Sequence, residues 1–127
     1  MLPEADSAKA QQAFADVLGQ GGRLIVLDLA FAEATNAIWK WYHLGTINLA
    51  QARQYLKDVL QCKVQVEPAR GVLVPALEIA AKYQRAVYDA LFVALAQDLG
   101  LKGVTAGEPL YKAVHADFPD VVLLRDW

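Results

Sequence analysis

Leu24-Ile25-Val26-Leu27-Asp28-Leu29-Ala30-Phe31-Ala32-Glu33-Ala34-Thr35-Asn36-Ala37-Ile38-Trp39 is the stretch that decides the fold of this chain. Residues 24–27 are apolar without interruption, as expected of a strand buried on both faces; a half-exposed strand would alternate. Residues 29–43 then carry apolar side chains at helical spacing, with Asp28 placed to cap them. A strand that runs straight into a helix is the building unit of a layered α/β sheet.

The pattern extends in both directions. Downstream, Leu44-Gly45-Thr46-Ile47 breaks the helix, and Asn48 caps another through Ala52, Tyr55, Leu56, Val59 and Leu60. Residues 62–66 read as a short strand stopped by Pro68. Residues 72–84 read as a helix with Pro75 in its first turn, where proline is tolerated. A helix over 88–99 is apolar on nearly every side and ends at Gly100. A strand at 103–105, a helix at 108–116 and a strand at 121–124 complete the chain. Upstream, Asp6 or Ser7 caps a helix through Ala8, Ala13, Phe14, Val17 and Leu18, ended by Gly19-Gln20-Gly21-Gly22. These glycines precede a strand. A dinucleotide loop follows a strand and opens a helix, so they read as a helix stop rather than a phosphate cradle. Alternating strands and helices predict an α/β layered fold with a largely parallel sheet and right-handed crossovers.

At 127 residues the chain suits one domain able to bury roughly two-thirds of its unfolded surface. Apolar residues make up 56% and charged residues 20%, the composition of a packed core and not of a disordered tail. Acids outnumber bases 14 to 12, and the net charge of -2 gives no electrostatic case for nonspecific DNA binding. An RNA-processing enzyme remains compatible with that balance, because a bound cation supplies positive charge locally. The lone cysteine, Cys62, cannot staple the chain and is expected to be a buried structural thiol. The first residues lack a basic and an apolar segment of a secretory leader, and no apolar run reaches membrane-spanning length, so the expected compartment is the cytoplasm.

Three places can carry chemistry. Glu33, Asn36, Ala37 and Lys40 share one helical stripe, so Glu33 and Asn36 can face one pocket; taken alone, a solvated face is the favoured reading. Asp89 stands at the head of a helix that is otherwise apolar, in Tyr88-Asp89-Ala90-Leu91-Phe92-Val93-Ala94-Leu95-Ala96. A buried carboxylate there needs a partner, either backbone N–H groups as an N-cap or a metal ion, and pattern alone does not separate the two. Gly103-Val104-Thr105-Ala106-Gly107-Glu108-Pro109-Leu110 is a strand turning into a helix, where open parallel sheets place ligands, and Thr105 can hydrogen-bond in such a site. Trp39, Trp41 and Tyr42 are expected to divide between core and surface, with a partner-binding patch as the other reading. His43 and His115 lack ligand spacing.

These stretches, from 27–39 through 87–96 to 104–110, resemble the PIN domain, and specifically its VapC-type toxin ribonuclease branch. The resemblance runs from Pro3 nearly to the end. It implies a three-layer α/β/α fold and a site of four acids that bind Mg2+ or Mn2+ for RNA cleavage. Carried over by position, Glu33 matches the second acid and Asp89 the third; Asn36 and Thr105 are the expected supporting polar groups. The first acid belongs to an opening central strand that has no counterpart here, so the chain reads as a single PIN-like domain over 1–127, truncated at its N-terminus relative to the family. Gly107 occupies the fourth acidic position, and Glu108 next to it is a possible substitute, turned by about 100° on a helix. The expected function is therefore a Mg2+-dependent endoribonuclease of the VapC type, impaired in this chain, cytoplasmic and homodimeric, with an RNA substrate and an antitoxin-like partner. The other reading is a catalytically degenerate PIN-like module that dimerises or binds such a partner. A flavodoxin-like nucleotide-binding protein is disfavoured, because no glycine loop is properly placed.

Overall fold

The computed structural model describes residues 12, 16 and 24–126. Gln12 and Asp16 are helical; the rest of the helix expected over residues 8–18, and the glycine cluster that ends it, lie outside the described residues. The described chain forms two compact units, one of residues 24–67 and one that includes residues 68–126.

In the first unit, β1 (Ile25–Leu27) pairs in parallel with β2 (Gln65–Glu67), with Val26 opposite Val66. The ladder is lengthened at both ends by Gln65 N–H to the Leu24 carbonyl, 2.8 Å, and Asp28 N–H to the Glu67 carbonyl, 2.9 Å. That second bond corrects an expectation. Asp28 belongs to the end of the sheet ladder, Leu29 takes the cap position in helical backbone, and no side chain caps α1 (Ala30–His43). Leu44 and Gly45, the latter at φ 78°, turn the chain out of α1, a conformation that glycine adopts without Cβ strain. The expected Asn48 cap of α2 (Leu49–Leu60) is present as a capping box. Asn48 Oδ1 accepts from Gln51 N–H at 2.8 Å, and Gln51 Oε1 accepts from Asn48 N–H at 2.9 Å. The two helices pack with Ile38 and Ala52 buried and the Trp41 ring edge-on to Tyr55 at 6.4 Å.

Cys62 is exposed, which corrects its expected burial. Its amide donates to the Val59 carbonyl at 3.2 Å, so it belongs to the turn that closes α2; strand pairing starts three residues later than the sequence pattern suggests.

In the second unit a short 3-10 turn (Ala69–Val72) leads into α3 (Leu73–Tyr83), with Pro75 in the first turn as expected. Helix α4 (Val87–Leu99) follows and ends at Gly100, φ 64°. Ala76, Ile79 and Ala80 of α3 and Ala90, Leu91, Val93 and Ala94 of α4 are buried, and the two helices pack together; the many alanines let their backbones approach closely. β3 (Gly103–Thr105) pairs in parallel with β4 (Val121–Leu123), and α5 (Glu108–Val114) packs on them through buried Leu110 and Val114. α5 stops at Val114, short of the 116 expected, and a turn follows in which the Asp117 and Phe118 N–H groups both donate to the Val114 carbonyl, at 3.1 and 2.8 Å. All strand pairing among the described residues is parallel, as the sequence pattern predicts.

Gly103 fixes how close α4 comes to β3. A Cβ there would lie 2.9 Å from Phe92 Cζ and 3.1 Å from Ala96 Cβ. Gly103→Ala is therefore expected to destabilise the protein by about 1–3 kcal/mol through overpacking, read as a lower urea midpoint at unchanged m-value. An unchanged midpoint would show that α4 gives way without strain.

Candidate active site

Glu33 is the fourth residue of α1, one turn after β1 ends; its N–H donates to the Leu29 carbonyl at 3.0 Å. Phe31, Ala34 and Ile38 face the interior, so Glu33 and Asn36, three residues apart, share the exposed side. The Glu33 carboxylate has no hydrogen-bond or ion-pair partner among the described residues. An acid in the first turn of a helix is also electrostatically favoured, whatever else it does.

Asp89 is the third residue of α4, whose cap is Ala86 in extended backbone, with no side-chain cap. It is exposed. The expectation of a buried or capping carboxylate is thus corrected. The buried residues of α4 are Ala90, Leu91, Val93, Ala94 and Leu95; Asp89 precedes them in the first turn, where Val87 and Tyr88 are exposed as well. Asp89, too, has no partner among the described residues. Glu33 and Asp89 belong to different units.

Thr105 ends β3, half-buried, and its hydroxyl accepts from the Gly107 N–H at 3.0 Å, closing the turn into α5. The hydroxyl proton stays available to donate. Gly107 is the N-cap of α5 and supplies no ligand atom from a side chain. Glu108 is committed elsewhere. Its carboxylate accepts from Arg125 at 3.3 and 3.5 Å and pairs with Lys112 at 3.3 Å, one helical turn on. The Arg125 hydrogen bonds, then Lys112, hold it below the usual carboxylate range. A depressed folded-state pKa means a stabilisation present above the ordinary carboxylate pKa and lost as pH falls through the folded value. The melting-temperature gap between wild type and Glu108→Gln should therefore be small at neutral pH, because the group is exposed, and should vanish on acidification. A gap that persists in acid would contradict the ion pair as its cause.

A shallow hollow of about 370 Å³ in the second unit is lined by Lys102, Tyr111, Val122, Leu123 and Asp126, none of them an expected site residue. Neither unit gathers three His, Cys, Asp or Glu side chains able to hold an ion among its described residues. The sequence reading missed the Arg125–Glu108 contact, which spans 17 residues and leaves no local signal. It also missed the stacking of Trp39 on His43, legible in principle as a four-residue helical spacing. The donor chemistry on α1 and α4 suits a hard cation, and Mg2+ needs no more than one or two carboxylates beside waters and substrate phosphate.

The chain matches the family model of the PIN domain over residues 2–115. It belongs to the PIN domain family. Ribonuclease VapC3 of Pyrobaculum aerophilum is 32% identical to it over 111 residues, 86% of this chain and 82% of that protein. Exonuclease VapC9 of the same organism is 36% identical over 105 residues, 81% and 77% of the two chains. These relatives put the PIN domain described here in the VapC branch, a family of nucleases that use divalent metal. The crystal structure of PAE2754 from Pyrobaculum aerophilum matches its fold with a TM-score of 0.73 at 27% identity, covering 96% of this chain and 80% of that one. The fold is the α/β PIN fold. No helix among the described residues of this PIN domain is long and apolar enough to cross a membrane.

Proposed function

We propose that this PIN domain is a divalent-metal-dependent endoribonuclease of the VapC type, impaired where Gly107 stands in place of an acid, in which Glu33 and Asp89 hold Mg2+ or Mn2+. The observation that carries this is the state of the two carboxylates. Both are exposed in the first turn of their helices and, among the described residues, neither is spent on a protein partner, while Glu108 is. Asn36, on the same stripe as Glu33, and Thr105, with its hydroxyl proton free to donate, are the supporting polar groups. Glu108 enters as a substitute ligand only by leaving Arg125 and Lys112. When bound, the ion lowers the pKa of water and neutralises charge at the attacked phosphate. The chain's own residues set where the ion and the phosphate sit, and α1 and α4 are rigid supports for that task.

The same reading brings a cytoplasmic location, an antitoxin-like partner and a homodimer. Leu73, Val74 and Leu77 expose one side of α3, which supports a docking surface of that kind. A degenerate, noncatalytic binding module is the second reading, favoured by Gly107 and by the engagement of Glu108. RNA cleavage in Mg2+ against a chelator, with Mg2+ titration by calorimetry, separates the two. Metal binding with chelator-sensitive cleavage supports the enzyme; neither, at any metal concentration, leaves the module.

A further inference from the structure

The exposed stripe of α1 does not stop at Asn36. At steps of three and four it continues through Trp39 and Lys40 to His43, all exposed, with Trp39 52% accessible. Trp39 and His43 are stacked, their ring centroids 4.9 Å apart and their planes 9° from parallel. An exposed tryptophan on a folded helix is normally free to rotate; here a neighbouring ring orders it and widens the flat surface. Lys40 adds a cation beside it, and the flanks, Asn36 and Lys40, are polar rather than aliphatic.

We propose that this stripe is a track for single-stranded RNA, with the Trp39–His43 stack as a base platform and Lys40 as a phosphate contact. The choice of RNA rests on the ribonuclease reading; the surface itself does not depend on the metal. An aromatic face interleaved with a cation is what sequence-tolerant single-strand binding needs, because every base has a π-face and every linkage a negative charge. The register suits the proposed chemistry. Trp39 lies six residues beyond Glu33 along α1, about 9 Å of axial rise, so a strand stacked on Trp39 reaches the metal end with its next few linkages. The platform would thus hold substrate without choosing the base, and position would be set by stacking. A protein partner is the competing occupant, and it would be read by mass rather than by nucleic-acid binding.

The test uses the full chain, a fluorescein-labelled oligouridylate of about ten nucleotides and anisotropy in the presence of a chelator, so that no cleavage occurs. Trp39→Ala should weaken binding about 5- to 150-fold, the range of one lost base stack. Trp39→Phe, which keeps a π-face, should recover most of it, and Lys40→Ala should weaken binding and flatten its salt dependence. Leu60→Ala, an exposed apolar change on α2, should do neither. Equal binding by Trp39→Ala and wild type overturns the proposal. So does failure of wild type to bind the probe, or loss of binding in Trp39→Phe to the same extent as in Trp39→Ala. A shift in oligomeric mass on Trp39→Ala, with RNA binding intact, assigns the face to protein and overturns it too. Glu33→Gln is expected to bind the probe normally in chelator. Failure of the metal reading therefore shows in cleavage assays alone, and failure of the track shows in anisotropy alone.

Discussion

Glu33→Gln and Asp89→Asn are each expected to lower metal-dependent RNA cleavage by on the order of 100-fold or more in kcat/KM. Both changes keep shape and remove one negative charge. A hard cation loses a carboxylate and is offered an amide, a weaker oxygen donor without charge. Because neither carboxylate is bonded to the protein among the described residues, the melting temperature should stay close to wild type, which separates loss of the ion from loss of the fold. The double substitution is the sharper probe. If both side chains grip one ion, removing the second ligand after the first has little left to remove, and the losses do not multiply. Calorimetry should show the same pattern, with Mg2+ binding weakened by either change. Cleavage that survives both substitutions, or losses that multiply as independent sites would, rejects the shared ion.

Local chemistry is what the sequence made legible. The Asn48–Gln51 capping box, Gly100 as a helix stop and Pro75 in a first turn each follow from residues a few positions apart, and each is present. Parallel pairing of β1 with β2 was readable from an unbroken apolar run followed by a helix. The misses share a cause. Asp28 is a good cap by residue type, but its N–H is drawn into the ladder by Glu67, a residue 39 positions away. Cys62 looks like core by composition, yet the closing turn of α2 claims its backbone and leaves its side chain outside. Asp89 sits amid apolar neighbours in sequence but is exposed, because it stands in the first turn of α4, where Val87 and Tyr88 are exposed too and burial begins only at Ala90. In the candidate site, the helix positions of Glu33 and Asn36 could be read from spacing. The capture of Glu108 by Arg125 could not, because that pairing exists only after β4 has brought Arg125 back to the start of α5.

Gly107→Asp is expected to raise metal-dependent cleavage by roughly tenfold or more and to tighten Mg2+ binding. The position accepts the change on steric grounds. Its backbone is ordinary for an L-residue, at φ -82° and ψ 101°, and a Cβ would sit 3.4 Å from Thr105 Oγ1 and 4.0 Å from Leu110 Cβ, normal contact in both cases. As the N-cap of α5, an aspartate also replaces glycine with a residue that helices prefer there, a gain of a few tenths of a kcal/mol. That stabilisation alone would lift apparent activity a little, so the control is Gly107→Asn, which caps equally well but brings no charge. Thr105 Oγ1 keeps its bond from the residue 107 amide in both variants, so the turn into α5 is common to them. The gain must then belong to the added carboxylate. Equal gains from Asp and Asn would trace the effect to helix capping. No gain from Asp, in a variant whose melting temperature has risen, would place residue 107 away from the ion and reject the proposal that Gly107 limits cleavage.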